Sequence, residues 1–104
     1  VTDLTDAVFS ALSDPTRREV VGHLAEQGAL TATEIAARLP VTRQAVTKHL
    51  AALADAGLVA STREGREVRY TFTPGPMADA VGWMADVGSE WDTRLDALRR
   101  HLSK

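Results

Sequence analysis

The sequence predicts a mainly α domain with a small β-hairpin: four helices, two strands and a long final helix. Three observations carry that expectation. Apolar residues recur at helical spacing through most of the chain, and residues 67–72 alternate apolar with polar. Residues 42–56 set an apolar face, Val46, Leu50 and Leu53, against a polar one, Arg43, Gln44, Thr47 and Lys48. With 104 residues, the chain reads as a single domain over 1–104. A chain of this size buries roughly 65% of its unfolded surface and needs no cross-link.

Each element has its own signal. Leu4, Val8, Ala11 and Leu12 share one face of a first helix. Asp14 then offers an N-cap carboxylate and Pro15 suits a first helical turn, so a second helix starts there. Val20, Val21 and Leu24 form its stripe, and Gly28 can end it. Thr31 and Glu34 have capping-box spacing for a third helix over 31–39, with Ile35, Ala36 and Leu39 inward and Pro40 as the stop. Thr42 caps a fourth helix over 42–56, which Gly57 ends. Val68, Tyr70 and Phe72 alternate with Glu67, Arg69 and Thr71 in a hairpin whose tip is Glu64–Gly65. "TPGP" breaks the chain before a helix that runs from Met77 to the end.

There is no cysteine, which excludes disulfides, thiolate metal sites and a thiol nucleophile. No apolar run approaches the ~20 residues of a membrane span. The acidic start "VTDLTDAVFS" has no signal-peptide core, so a cytoplasmic location and no membrane partner are expected. The formal charge is −2, but it is unevenly spread. From Arg38 to Arg69 there are six basic residues (Arg38, Arg43, Lys48, Arg63, Arg66, Arg69) against three acidic ones (Asp55, Glu64, Glu67). That net of +3 leaves −5 for the rest of the chain. A basic patch on an acidic protein suits an anionic partner met in one orientation.

The third and fourth helices, joined by a tight turn, make a helix-turn-helix, with the hairpin as its wing. In that arrangement one helix braces the other in the DNA major groove. The residue chemistry fits double-stranded DNA. Arg43 can donate two hydrogen bonds to guanine, and Gln44 can pair with adenine. Thr47 and Lys48 can reach bases or phosphates. The helix N-terminus itself attracts phosphate. Arg63 and Arg66 flank the wing tip, where sugar–phosphate backbone or minor groove would lie.

"ALSDPTRREVVGHL", "TATEIAARLPVTRQAVTKHLAALADAGLV" and "REGREVRYTFT" together resemble the ArsR/SmtB family of winged helix-turn-helix repressors over nearly the whole chain. The resemblance implies a homodimeric repressor that reads DNA through Thr42, Arg43, Gln44, Thr47, Lys48 and His49, with Arg63 and Arg66 on the wing. The chain departs from the family pattern at Pro40, where glycine is common in the turn.

Relatives in that family often sense metals through cysteines on the third helix or Asp/His sets on the last. Here the third-helix stretch is "TATEIAARL", and Asp92, Asp96 and His101 do not share one face. No metal site and no cofactor are therefore expected. Asp92 and Asp96 read as a solvated face, Asp96 pairing with Arg100, and no catalytic set is present. His23 and His49 read as hydrogen-bonded structural residues.

Along the last helix Val81, Met84, Gly88, Trp91, Leu95, Leu98 and Leu102 follow a heptad-like seam. A helix of about 26 residues spans roughly 40 Å, more than one small core covers. Residues 76–102, with 3–13, are therefore expected to form a homodimer interface through Leu4, Val8, Met77, Val81, Met84, Trp91, Leu95, Leu98 and Leu102, and Trp83 adds apolar area. The last helix also resembles a cysteine-free branch of the family often associated with START-like hydrophobic-ligand proteins. Two other functions fit the same scaffold: a protein-interaction module that does not bind DNA, and a metal or small-molecule sensor. The residues name no small-molecule effector.

Overall fold

The computed structural model describes residues 3–102, and their side chains from Thr5 onward. Five helices and a three-stranded sheet follow in the order α1 (Asp3–Leu12), α2 (Pro15–Gln27), β1 (Leu30–Thr31), α3 (Ala32–Ala36), α4 (Arg43–Asp55), β2 (Val59–Glu64), β3 (Glu67–Phe72) and α5 (Gly75–Leu102). The sheet is antiparallel in the order β1-β3-β2.

The extra strand β1 corrects the expected order, in which the hairpin stood alone. It is two residues long, too short to show alternation, and it is defined only by its partners: Leu30 faces Tyr70 and Thr31 faces Arg69. Its effect is to tie the base of the hairpin to the start of α3.

Local chemistry explains most helix ends. Asp14 accepts hydrogen bonds from the backbone N–H groups of Thr16 (2.8 Å) and Arg17 (3.2 Å) and so caps α2. Thr31 and Glu34 form the reciprocal capping box of α3. That helix is shorter than the expected 31–39. After Ala36 the chain tightens into turns, Arg38 N–H donating to Ile35 and Leu39 N–H to Ala36, but Leu39 still reaches the core. At the end of α4, Gly57 takes φ +76°, its N–H donates to Ala54 and the Leu58 N–H donates to Leu53. This Schellman closure turns Leu58 inward, where it is fully buried.

The core is built from Val8, Val20, Leu24, Ile35, Val46, Leu50, Leu53 and Leu58. α1 contributes Val8 and Ala11 over α2 and α4. Val8 is therefore part of the protomer's own core, which corrects its expected place at a dimer interface. The side chain of Leu4 lies outside the described residues. α5 starts two residues before Met77, with Pro76 in its first turn. It packs against α1, where Phe9 and Trp83 meet edge to face at 5.7 Å, and Met77 rests on the core. Beyond that contact it extends outward. Val81, Met84, Trp91, Leu95, Leu98 and Leu102 are all exposed. Asp96 pairs with Arg99 at 3.4 Å, three residues on, rather than with Arg100. No helix among the described residues is long and apolar enough to cross a membrane.

Candidate nucleic-acid interface

α4 begins where Thr42 Oγ1 accepts the Ala45 N–H at 3.1 Å. With Val46, Leu50 and Leu53 fully buried, the helical repeat leaves Arg43, Gln44, Thr47 and Lys48 exposed. Three of the four exposed side chains lie within the first five helical residues, next to the positive end of the helix dipole. Arg43 is held in place: its Nε donates to Thr33 Oγ1 at 3.0 Å. The Thr47 hydroxyl donates back to the Arg43 carbonyl at 3.0 Å, and the residue is exposed.

His49 is placed differently from the other expected reading positions. It is half-buried and faces α2, its Nδ1 accepting from Arg17 Nε at 3.3 Å. Arg17 also reaches the Ala11 carbonyl at 3.5 Å, and Arg18 donates to that of Leu12 at 2.7 Å. This pair of arginines ties the end of α1 to the start of α2, and Arg17 extends the tie to α4. His49 is thus a half-buried, hydrogen-bonded residue, in line with its reading as a structural histidine rather than with the place the family resemblance implies.

The wing is a two-residue hairpin. Glu64 pairs with Glu67, so the turn residues are Gly65 and Arg66, one position later than the expected tip. Gly65 takes φ +62°, the conformation that the first position of such a turn requires. Arg66 sits in the turn itself and is exposed. Arg63 is opposite Val68, its Nε donating to the Gly65 carbonyl at 3.3 Å. An open groove of about 660 Å³ lies between the wing and the helix-turn-helix, and Arg43, Thr47 and Arg66 all line it. Gln44, Lys48 and Arg63 are exposed but stand outside that groove.

Thr33, Glu34 and Arg69 line the same groove and were not expected to matter there. Arg69 is surrounded by carboxylates: Glu34 at 3.0 Å, Glu67 at 2.9 Å and Glu64 at 3.3 Å. The Thr31 backbone N–H, the Thr31 hydroxyl and then Arg69 hold the Glu34 carboxyl below its ordinary pKa. The capping-box pattern pointed to Glu34, but its tie to Arg69 spans 35 positions and leaves no local signal. Arg38 is also engaged, donating to the Glu34 carbonyl at 2.8 Å. The exposed cations of the patch are thus Arg38, Arg43, Lys48, Arg63 and Arg66. Among the described residues, no group of three or more His, Asp or Glu side chains converges as metal ligands.

Residues 12–62 match a family described as a helix-turn-helix domain. The HTH-type transcriptional regulator YuzN of Bacillus subtilis is 42% identical over 86 residues, covering 76% of this chain and 94% of that protein. The transcriptional repressor SdpR of the same organism is 31% identical over 88 residues, covering 85% of this chain and 97% of the relative. Among solved structures, an ArsR-like transcriptional regulator from Rhodococcus sp. RHA1 superimposes with a TM-score of 0.80 at 41% identity, covering 93% of this chain and 91% of the other. This protein shares sequence over most of its length with all three. It belongs to the ArsR/SmtB family of winged helix-turn-helix transcriptional regulators, which act by sequence-specific binding to DNA and not by catalysis.

Proposed function

We propose that the protein is a homodimeric repressor that occupies its operator with α4 in the major groove and the wing against the adjacent backbone. The observation that carries this reading is the shared groove of Arg43, Thr47 and Arg66, which puts a base-reading helix end and a wing-tip cation on one face. In that pose Arg43 donates two hydrogen bonds to guanine and Gln44 pairs with adenine. Thr47 and Lys48 take the bases or phosphates further along, and the Thr42 end of the helix meets a phosphate. Arg66, with Arg63 behind it, meets phosphate or a narrow minor groove. Repression follows from occupancy alone, because a protein covering the promoter excludes polymerase.

The second copy is proposed to dock along α5. Val81, Met84, Trp91, Leu95, Leu98 and Leu102 are exposed, and Met77 lies at the end of the same seam. Dimerisation would set two α4 helices about one helical turn of DNA apart, so the operator is expected to be an inverted repeat. Relatives include proteins named for mercury and arsenic resistance. This chain has no cysteine, so zinc, cadmium or arsenite at stoichiometric levels is not expected to release the DNA.

Selection of genomic fragments with purified protein identifies the operator. Binding of Arg43→Ala, Gln44→Ala and Arg66→Ala across a salt series then assigns roles. Loss of a bidentate base contact should cost about 1–3 kcal/mol and relax preference at particular base pairs. Loss of Arg66 should weaken all sequences evenly and lower the salt slope by about 1 per phosphate contact. If Arg43→Ala and Gln44→Ala both leave affinity and base preference untouched, α4 is not the reader.

A further inference from the structure

Arg69 stands in the middle of the basic stretch, yet three carboxylates already hold it. Nη1 donates to Glu34, Nη2 to Glu67, and Nε faces Glu64. Those carboxylates come from three places: the first turn of α3, the end of β2 and the start of β3. The same Glu34 oxygen, Oε1, also accepts the Thr31 N–H at 3.0 Å. A wing residue is thereby built into the cap of α3.

The sheet register shows why this position is special. β1 reaches only Tyr70 and Arg69 of β3. From Val68 to the tip the wing is a bare two-stranded ribbon, and its residues Ser61–Val68 are exposed. Such ribbons are marginal on their own. Arg69 is the last residue at which the hairpin is attached to the domain by the backbone, and its side chain carries the attachment toward the tip. An arginine fork fixes direction as well as distance, which a single surface ion pair does not.

We infer that Arg69 is a positioning residue for DNA recognition: its ion pairs with Glu34, Glu64 and Glu67 fix the angle between the wing and the α3–α4 pair, so that Arg66 meets the backbone when Arg43 and Gln44 reach the bases. The inference rests on the proposed DNA-binding pose. Arg69 is not itself a phosphate contact. Its Nη1 and Nη2 already donate to Glu34 and Glu67, and its Nε lies 3.3 Å from Glu64.

The test combines Arg69→Met, Arg66→Ala and the double variant. Operator binding is measured for each, and hydrogen exchange is followed in the free protein. In Arg69→Met the amides of residues 62–68 should exchange about fivefold faster or more, with those of α2 and α4 unchanged. Operator affinity should fall by about tenfold. Arg66→Ala, which alone should weaken binding several-fold, should add less than about twofold in the Arg69→Met background. Multiplicative losses would make Arg69 an independent contact and overturn the inference, as would unchanged exchange at the tip. If exchange rises but Arg66→Ala has no effect in the parent protein, the DNA-binding pose of the wing has failed, and the inference falls with it. Should Arg69→Met not fold, Arg69→Lys keeps the charge but loses the fork that joins Glu34 to the wing, and carries the same readouts.

Discussion

The winged part of the molecule and the outer half of α5 contain similar apolar residues with opposite fates. In the winged part, Val20, Leu24, Ile35, Val46, Leu50, Leu53 and Leu58 are almost wholly buried by their own chain. On α5, Ala80 is the one buried residue among those described, while Trp91 is 56% exposed and Leu102 73% exposed. The first region completes its core inside one protomer. The second has an apolar stripe that none of the described residues covers. With α5 as the proposed dimer seam, folding and assembly fall to different residues, and changing one set should spare the other.

The largest expected effect breaks assembly alone. Leu95→Glu/Leu98→Glu places four charges in the proposed two-fold interface along α5. Each leucine is already about half exposed, so each loss is about 1 kcal/mol, and four of them weaken the dimer by about a thousandfold. Sedimentation should show monomers at tens of micromolar. Urea unfolding of the winged part should stay at the midpoint of a monomeric reference. Global unfolding of this variant would mean that the two regions are not separable.

Within the winged part the next effect is Leu53→Ala. Leu53 is fully buried and also supplies the carbonyl that closes α4 on Leu58. Its truncation should cost about 2–5 kcal/mol by denaturant titration. In a monomeric background Leu98→Ala should cost under about 0.5 kcal/mol, because its side chain already meets water. Equal losses at the two leucines would erase the distinction.

The same contrast governs what could be read from the sequence. Strong local patterns gave α4 to within a residue at each end, because Thr42, the 46–50–53 stripe and Gly57 are all local signals. The hairpin followed from alternation, and its turn was misplaced by one residue because Glu64–Gly65 and Gly65–Arg66 differ only in register. β1 was illegible because two residues carry no period. Val8 looked like interface because the α1 stripe does not say which of two apolar surfaces it faces. Four of the expected reading residues are exposed on α4, whereas His49 turns toward Arg17 through a contact 32 positions away. Thr33 and Arg69 act at the groove through partners 10 and 35 positions distant, which no local pattern encodes.

A smaller effect tests the start of the reading helix. Thr42→Ala removes the acceptor for the Ala45 N–H and should destabilise the protein by about 1 kcal/mol. Because α4 begins at Arg43, fraying there should also loosen operator binding, while the dimer constant measured by sedimentation stays unchanged. A shift in dimerisation would show that α4 and α5 communicate more closely than their separation suggests.

The smallest effect appears only in acid and also belongs to the winged part. The Arg17 backbone N–H, opposed by partial desolvation and aided by the Thr16 N–H, holds the Asp14 carboxyl below its ordinary pKa. The folded value is below the unfolded one, so between the two the unfolded chain binds more protons. Stability from this cap is therefore fully present above the unfolded value of about 4 and is lost as pH falls through the lowered folded value. Asp14→Asn keeps an N-cap acceptor but cannot take up the proton, so near pH 7 it should change the thermal midpoint little. Below about pH 5 its midpoint should fall less steeply than that of the parent protein. Glu34 is lowered for a related reason, but its link to Arg69 would mix wing position with helix capping, which makes Asp14 the cleaner probe. Parallel slopes for parent and Asp14→Asn would mean that the cap of α2 takes no part in acid unfolding, and that the acid sensitivity of the winged part comes from elsewhere in its charge network.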